Sequence, residues 1–319
     1  MRISTSMIYD LGVAGIQKRT SDLMKTNQQV ASGRRILTPQ DDPVGASRAL
    51  ELSQARALNQ QHNVNTNSAS SALELEDTVL ASVSELIVDV RTTTLSAGGP
   101  LISNSILSGM ATALRGRYQE LLGLANSKDG EGLYMFSGYQ QGSTPPFNGA
   151  VPITPITPGN VTYSGDQGQR LIQISPSRQI AVSDAGSDVF MQIKNGSGAN
   201  ESLFATLDNL ITAIGTADVT VPGGQAALVG SLSGFVAQLD RGLDRVLQTR
   251  ASVGTRLQEI DSIRSSGEDT ALQYDKTLSD LQDLDYAKAI TDLTRYQTGL
   301  EAAQKSFLKV QGLSLFNYM

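Results

Sequence analysis

The chain has 319 residues, with 25 lysines and arginines against 31 aspartates and glutamates and a net charge of −6. That balance argues against a dedicated nucleic-acid-binding protein. The chain has no cysteine, which excludes disulfides, cysteine-bound metals and thiol nucleophiles. No run approaches the roughly 18 apolar residues of a membrane span, so we expect no membrane partner. The start MRISTSMIYDLGVAGIQKRT lacks the apolar core and cleavage site of a secretory signal, so we expect any export to proceed without one.

The N-terminal segment carries a narrow apolar stripe. Ile16, Leu23 and Val30 fall seven residues apart among Gln, Lys, Thr and Asn, a spacing that predicts one face of a helix. So narrow a stripe buries too little surface to offset the entropy of the chain. We therefore expect this helix to need a partner and to be disordered until it has one.

The stretch ASGRRILTPQDDPVGASR at 31–48 predicts a hinge followed by a helix start. The glycine offers a stop for the first helix, and the second aspartate is extended because a proline follows it. Asp is a preferred N-cap and Pro a preferred first helical residue, and the first aspartate lies near the positive end of that helix. The two arginines could reach acidic groups of a neighbouring chain. A metal or phosphate site is the alternative, and we favour the hinge and cap. The residues concerned are Gly33, Arg34, Arg35, Asp41, Asp42 and Pro43.

A long helix is predicted after this cap. Val79 and Leu86 belong to one seven-residue series, and Val83 and Val90 to a second series offset by four. Together they give the a and d positions of a heptad seam. A helix from Gly45 to Ala97 would be roughly 80 Å long, against about 50 Å for the diameter of a compact chain of this length. The sequence therefore predicts an elongated rod.

A second, shorter helix is predicted to return along the first. Gly98-Gly99-Pro100 breaks the long helix. Leu107, Leu114 and Leu121 then mark the returning helix, which is antiparallel because the break is short. It is predicted to end near Asn126.

Residues 133–200 predict a small β-rich insertion. The prolines of PPFNGAVPITPITPGN exclude a helix there. The stretch NVTYSGDQGQRLIQISPSRQIAV alternates apolar and polar residues and has turn signals at residues 164–168, which predicts a hairpin. Helical patterning resumes at residues 203–214, pauses at VPGGQ, and continues from Ala226 to about Arg264.

The last segment has the clearest helical pattern, with four consecutive a/d pairs from Tyr286/Ala289 to Phe307/Val310. The chain ends in the apolar stretch LSLFNYM, which a monomer has no obvious reason to expose. We expect the two terminal helices to form a coiled coil and to drive assembly. The predicted interface residues are Ile16, Leu23, Val30, Leu293, Tyr296, Leu300, Phe307, Val310, Leu315 and Phe316.

The sequence has no pattern that predicts catalysis or cofactor binding. His62 is the only histidine and has polar neighbours on both sides, which favours a solvated or interface residue over a catalytic one. The nucleophile turn G-x-S-x-G and the phosphate-binding glycine motifs are absent. SKDGEG lacks the ligand spacing of a calcium loop. We therefore expect a non-enzymatic protein without catalytic, cofactor-binding or metal-binding residues.

Four stretches together resemble the bacterial flagellin family. ASGRRILTPQDDPVGA at 31–46 is similar to its N-terminal signature, and GLYMFSGYQ at 132–140 to the segment that leads into the outer domain. YSGDQGQRLIQISPSRQIAV at 163–182 is similar to the β-hairpin of that domain. LSLFNYM resembles the ending of the members that join hook and filament, rather than that of filament flagellins. The resemblance covers nearly the whole chain.

The resemblance implies a mainly α protein with a β-rich insertion, divided into three domains. Residues 1–42 and 270–319 would form a terminal coiled-coil domain, disordered until assembled. Residues 43–132 and 201–269 would form a helical rod domain, and residues 133–200 a β-rich outer domain.

The resemblance also implies a structural subunit of the bacterial flagellum at the junction of hook and filament. Its partners would be hook-associated protein 1, flagellin, an export chaperone on the C-terminal helix, and copies of itself in a ring of about eleven. No nucleic acid or membrane partner is expected. The subunit would be extracellular, exported by the flagellar type III apparatus without a cleaved signal peptide.

Two other functions stay open from the sequence. A filament flagellin differs in its ending and in whether the purified protein polymerises alone. A secreted adhesin-type module would recognise a ligand through the β-rich insertion, so deletion of residues 133–200 would abolish attachment but not motility.

Overall fold

The computed structural model describes residues 5–140, 144–149, 161–194 and 198–316, without the side chains of residues 5, 6, 8 and 311–316. Its α-helices are α1 (Thr5–Ser32), α2 (Pro43–Ala97), α3 (Asn104–Ala125), α4 (Leu203–Thr216), α5 (Gly224–Gln282) and α6 (Tyr286–Phe316). Its strands are β1 (Phe147–Asn148), β2 (Thr162–Tyr163), β3 (Leu171–Ser175), β4 (Arg178–Ala181), β5 (Ile193–Lys194) and β6 (Asn200–Glu201), and a π-helical turn spans Ser187–Met191. The prediction of a mainly α protein with long helices and a β-rich insertion is confirmed.

The helix ends follow local chemistry. α2 ends at Ala97, directly before Gly98-Gly99-Pro100, as predicted. α3 begins after Ser103, whose hydroxyl oxygen accepts a hydrogen bond from the backbone amide of Ile106, and it ends at Ala125, as predicted. α5 continues through Gly267 to Gln282, beyond the predicted end near Arg264, and no proline interrupts it.

The chain forms two compact units, one of Met1–Gln60 with Glu268–Met319 and one of Gln61–Gly267. In the second unit α2 and α5 run antiparallel. Arg91 of α2 pairs with Asp240 of α5, whereas Asp77, earlier on α2, pairs with Arg250, later on α5. The predicted division into three domains stays a prediction.

Leucine, valine and isoleucine fill the core between the helices of the second unit. The α2 seam is buried as predicted, and α5 contributes side chains seven residues apart, which is the spacing of a helix with one face in a core. The fully buried residues on these two seams include Val83, Leu86, Val90, Leu239, Val246, Val253 and Ile260.

An aromatic cluster fixes the β-rich insertion to the helices. The Phe190 ring lies 5.4 Å from those of Phe136 and Phe147 and 6.0 Å from that of Phe204, the second residue of α4. All four rings are at most 1% exposed. Edge-to-face and tilted ring pairs at these distances add to the stabilisation from burial.

The hairpin of the insertion closes at a different place from the one predicted. β3 pairs with β4, so the turn lies at Pro176–Ser177, and β2 pairs instead with β1. The turn signals at residues 164–168 serve another purpose. The Asp166 carboxylate accepts hydrogen bonds from the backbone amides of Tyr139 and Gly168, each at 2.8 Å, and so ties this loop to the preceding segment.

Among the helices over the described residues, none is long and apolar enough to cross a membrane.

Candidate assembly surface

In the first compact unit, α1 and α6 run antiparallel and in contact. The Tyr9 and Phe307 rings lie 5.2 Å apart, and a Cβ added at Gly12 would lie 2.7 Å from the Phe307 ring. At the other end of the pair, a Cβ added at Gly33 would lie 2.9 Å from the Tyr286 hydroxyl. Glycines thus allow the two helices and their aromatic side chains to approach closely.

Most residues of the predicted assembly interface lie half-buried along this pair. Those on α1 are Ile16, Leu23 and Val30, and those on α6 are Leu293, Tyr296, Leu300 and Phe307. Val310 is 48% exposed, and the side chains of Leu315 and Phe316 lie outside the described residues. The two terminal helices therefore contact each other within one chain. The role of these residues in contacts between chains stays a prediction.

A second set of apolar side chains points away from the pair, and the sequence reasoning missed it. Leu11 and Met24 of α1 are 64% and 61% exposed, and Ile290 and Leu308 of α6 are 53% and 65% exposed. The two α6 residues are eighteen positions apart, which is five helical turns, so they share one face. That spacing is visible in the sequence, although the neighbouring heptad stripe conceals it. These exposed apolar side chains make the two helices candidates for contact with another chain.

Threonine-lined grooves accompany these exposed residues. A groove of about 450 Å³ on α1 includes Ile16, Thr20 and Met24, and one of about 640 Å³ on α6 includes Ile290 and Thr294. The Thr20 and Thr294 hydroxyls donate to carbonyl oxygens one turn earlier on their own helices, at 3.0 and 2.9 Å. Their methyl groups are then left to line the grooves, which suits an apolar partner side chain.

The connector between α1 and α2 pairs with the segment between α5 and α6. Arg34 and Asp283 form an antiparallel bridge, and the Arg35 backbone amide donates to the Gln282 carbonyl at 2.7 Å. The Arg35 guanidinium donates to the Leu281 carbonyl at 2.8 Å. Arg35 therefore binds its own chain. The exposed side chain of Arg34 forms no ion pair within the part of the chain that the structure describes.

Gly33 and Asp42 lie at the ends of α1 and α2 and contact backbone groups there. Gly33 adopts a left-handed φ of 70°, and its amide donates to the Gln29 carbonyl at 2.9 Å, which closes α1. α2 begins at Pro43, and the Asp42 carboxylate accepts a hydrogen bond from the Gly45 amide at 2.9 Å. These bonds satisfy backbone groups that a helix end would otherwise leave unpaired.

Asp41 fastens the connector to α1. Its carboxylate lies 2.6 Å from the Lys25 ammonium group, and it accepts hydrogen bonds from the backbone amides of Leu37 and Thr38 at 3.1 and 3.0 Å. The bond from Lys25, followed by that from Thr38, lowers the pKa of Asp41 to about 2. The aspartate pair is thus occupied by a cap and an ion pair, and it does not form a ligand set open to a metal.

The described residues of this surface form no catalytic arrangement. His62 is half-buried on α2, and its Nδ1 has no hydrogen-bond partner among the described residues. Within the same ranges, no three histidine or acidic residues cluster as metal ligands would.

Comparison with known proteins gives a consistent result. Residues 3–141 match the family model of the bacterial flagellin N-terminal helical region. The chain is 33% identical to flagellar hook-associated protein 3 of Escherichia coli (strain K12), with 99% of each chain covered.

Two solved structures from Legionella pneumophila share the fold. Flagellar hook-associated protein 3 is 20% identical, with a TM-score of 0.65 over 73% of this chain and 98% of that one. The flagellar junction protein FlgL is 21% identical, with a TM-score of 0.62 over 74% of this chain and 100% of that one.

Proposed function

The chain belongs to the flagellar hook-associated protein 3 family, and from that premise we propose that it is a structural subunit of the bacterial flagellum at the junction between hook and filament. The observation that carries the proposal is the 33% identity to a hook-associated protein 3 over 99% of both chains. Its work is mechanical and not catalytic. Its place is outside the cell, in the flagellum.

The neighbours that we propose follow from the family. Hook-associated protein 1 lies on one side of a ring of about eleven copies and flagellin on the other, because a subunit with unlike ends makes heterologous contacts. A chaperone binds α6 before assembly. The chain leaves the cell through the flagellar type III apparatus without a cleaved signal peptide.

The α1–α6 pair is the part of the chain that we propose for contacts between subunits. Support comes from the exposed apolar residues Leu11, Met24, Ile290 and Leu308. Each Å² of apolar surface that a partner removes from water stabilises the contact by about 25 cal/mol. Arg34, exposed in the connector between α1 and α2, adds a cation that a neighbouring chain could pair.

Three substitutions on α6 test the proposal. Leu308→Asp places a charge on the exposed face, and we expect normal helix content but loss of assembly and motility. Phe307→Asp or Leu300→Asp places a charge on the half-buried stripe, and we expect loss of the α1–α6 pair as well as of assembly, with the unit of residues 61–267 still folded. Circular dichroism and motility of complemented cells measure the two effects.

Gln304→Asp is the matched control, since Gln304 is an exposed polar residue of the same helix. It should support normal motility. If Leu308→Asp behaves like Gln304→Asp, the exposed face is not the contact between subunits. If Phe307→Asp also assembles normally, the terminal pair has no part in assembly.

A further inference from the structure

A buried carboxyl group joins α2 to the β-rich insertion. Glu76 is only 2% exposed, and its Oε1 accepts a hydrogen bond from the backbone amide of Asp184 at 3.1 Å. Its Oε2 is buried without a hydrogen-bond partner among the described residues. An ionised oxygen in such a position has lost its hydration without gaining a hydrogen bond, so the charged form is disfavoured.

The charges around Glu76 are already balanced without it. Arg256 of α5 forms an ion pair with Asp184, and Arg170 lies 3.5 Å from Asp129. Two guanidinium groups thus face two carboxylates. A protonated Glu76 leaves this cluster neutral, whereas an ionised Glu76 adds a negative charge that has no cation of its own.

Two further arginines of α5 are bonded to other groups of the same unit. Arg250 pairs with Asp77 at 2.8 Å. Arg245 donates to the backbone carbonyl of Asp188 at 2.7 Å, and both residues line a cavity of about 170 Å³ next to Asp184. Burial, followed by the charge of Asp184, accordingly raises the pKa of Glu76 to about 8, against the attraction of Arg256 and Arg170.

We propose that Glu76 is a proton-dependent latch, which holds residues 169–188 closed against α2 and α5 when protonated and loosens them when it ionises. Asp184 contacts Glu76 of α2 and Arg256 of α5, and two further hydrogen bonds fasten the segment to the same two helices. Arg256 donates to the Ala181 carbonyl at 3.0 Å, and Asn65 of α2 donates to the Gln173 carbonyl at 2.8 Å. A charge at Glu76 therefore acts where the insertion meets both helices at once.

The direction of the pH effect follows from linkage. When the segment opens, Glu76 meets water and regains its ordinary acidity, so between about pH 4.5 and pH 8 opening releases one proton. The opening equilibrium should then rise roughly tenfold per pH unit over this range and level off above about pH 8.

Hydrogen exchange of the full chain between pH 5.5 and pH 9 tests the latch. Protection factors, corrected for the intrinsic pH dependence of exchange, are compared for peptides that cover residues 171–190 and for peptides of α3 as an internal reference. We expect protection of residues 171–190 to fall roughly tenfold per pH unit up to about pH 8, with α3 unchanged. Glu76→Gln keeps the acceptor for the Asp184 amide and removes the charge, so its protection should stay constant.

Two controls isolate the effect to Glu76. Glu74→Gln alters an exposed carboxylate two residues earlier on α2, and it should behave like the wild type. His62→Gln removes the only histidine of the chain, a residue type that ordinarily titrates in this range. It should also leave the pH dependence of the protection factors unchanged.

A constant protection factor in the wild type, or an equal fall in Glu76→Gln, would overturn the latch. Asp184→Asn provides a second test that does not require Glu76→Gln to fold. It removes the neighbouring negative charge and leaves Arg256 free to attract Glu76, so the levelling-off point should move to lower pH. An unmoved levelling-off point would also overturn the proposal.

Discussion

The substitution Phe190→Ala should weaken the attachment of the insertion more than any surface change. Phe190 is fully buried, and its ring pairs with those of Phe136, Phe147 and Phe204 at 5.4 to 6.0 Å. Removal of a buried phenylalanine side chain costs about 3–5 kcal/mol. The three ring pairs place this site at the upper end, about 5 kcal/mol. In a unit of this size 1 kcal/mol lowers the melting temperature by about 2–4 °C, so we expect a decrease of about 15 °C.

Scanning calorimetry of the full chain measures this decrease. Leu171→Ala is the matched control, because Leu171 lies in the same insertion but is 56% exposed, and it should change the unfolding free energy by less than about 0.5 kcal/mol. Phe190→Leu keeps most of the buried volume, so its decrease in melting temperature should lie between those of Phe190→Ala and Leu171→Ala. A decrease for Phe190→Ala no larger than that for Leu171→Ala would refute the role of the aromatic cluster.

Three further substitutions test the helix ends. Gly33→Ala should lower the unfolding free energy of the terminal unit by more than about 1 kcal/mol in urea denaturation, because its φ of 70° disfavours a side chain and the Cβ would press on Tyr286. Asp41→Asn should cost about 1 kcal/mol at pH 5. Because the pKa of Asp41 is lowered to about 2, its contribution is fully present above about pH 4 and is lost as pH falls through 2, so wild type and variant should converge below pH 2. Ser103→Ala should cost about 1 kcal/mol by thermal denaturation through loss of the α3 cap. For Asp41→Asn, a stability equal to that of the wild type at pH 5 would contradict the expectation. For Ser103→Ala, an unchanged thermal midpoint would do so.

The helices could be predicted from the sequence because their limits depend on local chemistry. The break at Gly98-Gly99-Pro100 and the cap at Asp42-Pro43 are each formed by two or three consecutive residues. Heptad spacing then identifies the face of a helix that packs against another helix. The half-buried stripe on α6 follows from the same rule, since Leu293, Leu300 and Phe307 repeat every seven residues.

The strand pairing depends on contacts that are distant in sequence. The loop at 164–168 has good turn residues, yet Asp166 uses its carboxylate to bind the amide of Tyr139, 27 residues earlier. The hairpin turn forms instead at Pro176–Ser177. Local turn propensity cannot tell these outcomes apart, because both stretches satisfy it.

The burial of Glu76 was also hidden in the sequence. It sits on a helix with other glutamates, such as the exposed Glu74, and only the position of the insertion decides which of them is covered. The exposed face of Ile290 and Leu308 could not be predicted for a related reason. The sequence does not show which of two neighbouring apolar stripes packs against the partner helix.

The measurement that tests the central claim most directly is electron microscopy of cells that lack the gene for this chain, with flagellin assayed in the medium. A junction subunit predicts bare hooks and flagellin released as monomer. Bare hooks with no flagellin anywhere would identify the chain as the filament protein itself, and normal flagella would contradict any role in the junction.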